Sequence, residues 1–226
     1  MKKQVLSAIA AIVLMASGAQ AFGLPGGLGA SKSSSVSLSE NDIDAVFVAV
    51  KNAEYFLGES SLKLVNVLGS SESKAKLEAE MKNAESIKDP KEKSAKIAKI
   101  QQDAVAEAIK NTESKEGKEK LKNLDTKQKQ DVGSAIGNFA LAGLLDAVAV
   151  KMGSDVVSSA SKDPMGAAVK FASKLPSIKD IVATLPKQAT DIATMTDSLV
   201  KIAKSGNVPL SMPDDKKVEE VKKTKR

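Results

Sequence analysis

The chain has 226 residues, 34 basic against 28 acidic side chains, a formal charge of +6, and neither Cys nor His. Those two absences remove disulfides, the usual ligands of zinc, copper and haem, and every catalytic arrangement built on His or Cys. Lys supplies 33 of the basic residues, Arg226 is the one Arg, and aromatics are few (5 Phe, 1 Tyr, no Trp). Nucleic-acid recognition therefore lacks both its Arg forks and its stacking platforms.

Residues 1–21 read as a secretory signal peptide. Lys2 and Lys3 precede an apolar run from Val5 to Ala16, and Ala19-Gln20-Ala21 supplies a small-residue cleavage site. The run is shorter than the roughly 20 apolar residues of a membrane span. Phe22, not Cys, follows the site, so the signal is Sec-type and not that of a lipoprotein. The expected location is the periplasm or the exterior.

Residues 22–39 read as a flexible arm, with Gly23, Gly26, Gly27 and Gly29 around Pro25 and then Ser31 to Ser35. Phe22, Leu24 and Leu28 are its apolar exceptions. A helical bundle domain is expected over 40–205, followed by a Pro-containing charged tail over 206–226.

Ser39 with Asp42 forms a capping-box pattern, and Asn41-Asp42-Ile43-Asp44 reads as a helix start; it lacks the glycine and distal Glu of a calcium loop. Ile43, Val46, Phe47, Val50, Ala53, Leu57, Leu64 and Leu68 then keep a helical period that ends at Gly69. A second helix is expected from Glu72 to Lys88. Asp89-Pro90 with Glu92 opens a third, which fades near Glu113. From Glu72 to Asp131 the chain carries 15 Lys and 13 acidic residues, interleaved at helical spacing. This pattern reads as solvated helix faces and not as a polybasic patch.

Asp125 with Gln128 caps a fourth helix reaching about Ser161. Its centre, Val132 to Met152, is apolar almost all round, as expected of a helix buried among others. Gly133 and Gly137 also fit the small-residue spacing of membrane helix pairs. Against insertion, Asp146 costs about 2.5–3.5 kcal/mol, while each strong apolar residue returns only about 0.3–0.6 kcal/mol. Asp163-Pro164 starts a short helix, and Ser177 with Asp180 caps a last one whose period survives Pro186. No segment alternates with period two, and no internal repeat appears.

The fold expected is all-α: an elongated antiparallel bundle of five or six helices between a flexible arm and a charged tail. S-x-x-K occurs at Ser60/Lys63, Ser71/Lys74, Ser73/Lys76, Ser159/Lys162 and Ser198/Lys201, which is chance level for so much Ser and Lys. No phosphate-binding Gly loop and no aromatic sugar platform are present, so no catalytic, cofactor or metal residue is assigned.

The expected function is non-catalytic binding of an apolar ligand or a protein partner by a secreted or periplasmic helical protein. Phe139, Leu144, Leu145 and Val148 are the candidate contact residues, with Phe47 and Phe56 opposite them. Asn138 and Asp146 are the candidate polar orienting groups. The alternatives are a membrane-active protein inserting the Val132–Met152 helix, and a structural envelope protein.

Overall fold

A computed structural model describes residues 38–224. The expected signal peptide, and all of the expected arm except Leu38 and Ser39, lie outside the described residues. Among the described residues the chain is all-helical, with eight helices and no strand. They are α1 (Glu40–Leu68), α2 (Ser71–Glu85), α3 (Pro90–Asn111), α4 (Lys115–Lys122), α5 (Thr126–Lys162), α6 (Pro164–Phe171), α7 (Leu175–Ser205) and α8 (Asp215–Val221).

Local chemistry sets most of the starts. Both halves of the capping box form at Ser39 and Asp42, and again at Asp125 and Gln128. Asp89 accepts the Glu92 N–H at 2.7 Å, with Pro90 in the first turn of α3. The Ser177–Asp180 cap does not form. α7 already begins at Leu175, because Pro176 suits a first helical turn, and it continues through Pro186.

Four helices close a ring. α5 packs along α1 and α7, and α3 touches the other sides of α1 and α7. The register follows from paired positions. Ser94 of α3 donates to Glu54 of α1, and Lys91 of α3 pairs with Asp180 of α7. A β-carbon on Gly153 of α5 would meet Val182 and Ile178 near the start of α7 and Val46 near the start of α1. Hence α1, α3 and α7 run one way and α5 the other, with α2 returning along α3. The main core holds Leu57, Leu64, Ile136, Phe139, Leu145, Ile192 and Leu199. Each such buried side chain contributes about 1.5–3 kcal/mol before conformational entropy is charged against it. A second cluster at the other end of the ring gathers Ile43, Val46, Val156, Phe171 and Ile178, with Leu38 against it.

Two elements differ from the sequence expectation. α4 is additional; its eight residues, KEGKEKLK, bury only Leu121, so periodicity alone gives no sign of it. The C-terminal segment, expected as a charged tail outside the bundle, is docked on the ring. Asn207 takes the left-handed conformation (φ 51°), and the Val208 N–H donates to Ala203 O at 2.8 Å, closing α7 in a Schellman turn. Val208, Val218 and Val221 are then buried in the main core, and Asn52 of α1 donates to Val221 O and Thr224 O at 2.8 Å each. Three buried valines, the partly buried Leu210 and Met212 and two hydrogen bonds help tie down this otherwise charged segment.

Candidate functional site

The expected apolar contact residues are mostly core. Phe139 and Leu145 are 0% exposed, and Phe56 and Leu144 are also buried in the same main cluster. Val148 is partly buried against that cluster. Phe47 does not join them: it packs against the second cluster, beside Ile43 and Phe171. Asn138 is half-buried and Asp146 is buried. None of these eight residues lines either of two clefts on the surface of the ring.

Asp146 is the chemically unusual member. Its side chain is 1% exposed, and Gln188 Nε2 of α7 donates to Oδ2 at 2.9 Å. Oδ1 has no hydrogen-bond partner among the described residues. Burial pushes this carboxyl up to about 8; the Gln188 hydrogen bond opposes the rise and the charge of Glu54 adds to it. Around neutrality the group is therefore mainly the neutral acid. Glu54 of α1 acts on it by charge alone; its carboxylate takes the Ser94 hydroxyl from α3 and lines a cleft of about 240 Å³ with Ser94, Ile97 and Gln101. Unlike carboxyl environments can serve acid–base chemistry, but a carboxyl sealed to this degree offers no surface to a substrate.

The larger cleft, about 360 Å³, lies between α4 and the C-terminal ends of α3 and α7. Leu121 and Ile202 supply its apolar floor. Lys118, Lys122 and Lys201 stand around it with Glu113, and Thr112 and Ser205 add hydroxyl groups. Tight backbone contacts hold α4 in place. A β-carbon on Gly117 would stand 2.0 Å from Asn111 O, and one on Gly206 would stand 2.8 Å from Leu121 Cγ. Ser114 caps α4 by accepting the Gly117 N–H at 2.9 Å. Lys120 turns away to donate to Gly69 O at 2.9 Å, and its partial burial and the charge of Lys74 lower its pKa.

The sequence does not single out this cleft. Lys118 and Lys122 stand one helical turn apart on α4, a local signal hidden by the neighbouring Glu116 and Glu119. Lys201 arrives from α7 and leaves no local trace. Among the described residues no group of three or more Asp and Glu side chains is placed to hold a metal ion. Comparison with known protein families, with curated proteins and with solved structures finds no match for this chain.

Proposed function

We propose that this chain is a non-catalytic, exported helical binding protein that meets its ligand at the surface of the ring and not within its core. The observation that carries this reading is the cleft of about 360 Å³ with the apolar floor Leu121–Ile202. Its volume falls in the range of about 300–1,000 Å³ that small-molecule sites occupy. The residues around Phe139, by contrast, already spend their apolar surface on one another. Export is supported by the pattern of residues 1–21. Native mass spectrometry of protein recovered from its own host tests the reading. A non-covalent adduct of one ligand per chain is expected; a bare chain in gentle preparations counts against it.

One observation favours a second reading, membrane activity. Among the described residues α5 is the one helix long and apolar enough to cross a membrane. Its apolar surface is packed against α1 and α7, so insertion requires the ring to open. Dye release from anionic liposomes, with protection of residues 132–152 from protease, would support this reading. Intact vesicles and free cleavage would remove it.

A further inference from the structure

We propose that the cleft between α4 and the end of α7 takes a single-chain amphiphile with an anionic head, carboxylate or phosphate. The head meets Lys118, Lys122 and Lys201, and the chain lies on Leu121 and Ile202. This inference rests on the binding-protein reading and names its ligand class.

Three lysines converge on one opening from two helices. Among the described residues, none of the three has a carboxylate within ion-pair distance. Most other lysines of the ring also stand without an ion pair, Lys174 with Glu40 and Asp44, Lys91 with Asp180, and Lys99 with Asp103 being among the exceptions; what distinguishes these three is that they share one opening. Glu113 is the one acidic residue lining the same opening; Glu116 and Glu119 lie beside its lysines on α4 but outside the lining, and the C-terminal ends of α3, α4 and α7 add about half a negative charge each. Within the lining itself three ammonium groups face one carboxylate, which favours an anion there.

The floor decides what kind of anion. Leu121 and Ile202 are apolar, and the aliphatic stems of the lysines extend that surface towards the rim. A small inorganic anion would leave the floor wet, and a neutral lipid would leave the three charges without a counterion. A nucleotide would find no aromatic face, since no Phe or Tyr lines the cleft. An anionic head on a flexible chain satisfies both features. Lysine suits it as a movable point charge that does not require the planar geometry of an Arg fork.

The test uses the exported protein with dodecanoate, dodecyl phosphate and dodecanol, each below its micellar concentration, followed by calorimetry and native mass spectrometry. One equivalent of either anion is expected to bind, with dodecanol weaker by about tenfold or more. The head group that binds more tightly identifies carboxylate or phosphate as the source. The paired substitution K118E and K201E is expected to weaken both anions by about tenfold or more. Both lysines are exposed, so the melting temperature should stay close to that of the parent. Equal binding of dodecanol, or parental affinity in the charge-reversed protein, overturns the proposal. If the host-derived protein carries a neutral or peptidic adduct, this ligand class fails and the binding-protein reading stands. A bare chain from the host that also ignores all three probes ends both.

Discussion

The carbonyl oxygen of Pro209 lies over Gly133 so closely that a β-carbon on the glycine would stand 1.9 Å from it. One turn along, the Ser211 carbonyl lies over Gly137 in the same way, at 2.3 Å. The small-residue face of α5 is therefore the seat of the C-terminal segment. Gly133→Ala should lift that segment and cost about 1–3 kcal/mol, as overpacking commonly does. Gly143→Ala should cost less, because its β-carbon meets the Ile192 side chain at 2.8 Å and not a backbone oxygen. Chemical denaturation of the two variants checks the order, and hydrogen exchange should show faster exchange at 208–221 in Gly133→Ala alone.

Asn52 secures the other end of the same segment through its bonds to Val221 O and Thr224 O. Asn52→Ala should cost about 1–3 kcal/mol, the range for buried acceptors left without a donor. Asn52→Asp should be worse, because it replaces the donor with an acceptor facing two carbonyls. Thermal melts, with proteolysis near residue 222, provide the readout.

Asp146 should give the fold a pH dependence of a particular sign. Its folded pKa of about 8 lies above the ordinary value of 3.8, so between these limits the folded chain holds a proton that the unfolded chain releases. The stability this proton provides is complete below about pH 4 and is lost as pH rises to about 8. The slope is at most about 1.4 kcal/mol per pH unit. Asp146→Asn, with no proton to lose, should flatten that decline and be the more stable protein at pH 8. Urea midpoints across pH 5–9 for both proteins test this; parallel curves would contradict it.

Phe139 and Leu145 act as packing residues. Phe139→Ala should cost about 3–5 kcal/mol and Leu145→Ala about 2–5 kcal/mol. Where these variants remain folded, dodecanoate affinity should hold near the parental value. Affinity lost in step with these truncations, in protein shown to be folded, would return the ligand to the core.

Much of this arrangement is local and hence readable from sequence. Ser39, Asp89 and Asp125 cap their helices through atoms three residues away, and the all-round apolar character of Val132 to Met152 marks the ring's central helix. Asp146 stands out as a polar interruption in that helix. Its partner Gln188 does not, because the contact joins helices far apart in the chain. The seat at Gly133 and Gly137 is ambiguous for a related reason: a missing β-carbon announces a close approach but not what approaches. The lysine cleft escapes because alternating signs along α4 average to neutrality, whereas folding turns Lys118 and Lys122 to the side where Lys201 arrives.

Methyl and amide chemical-shift mapping of the protein during titration with dodecanoate separates binding at the surface cleft from binding in the core most directly. Shifts concentrated at Leu121, Ile202 and Ser205, with Phe139, Leu145 and their neighbours undisturbed, are expected of a surface-cleft binding protein. Shifts centred on Phe139, Leu144 and Leu145 with the cleft unmoved would contradict it.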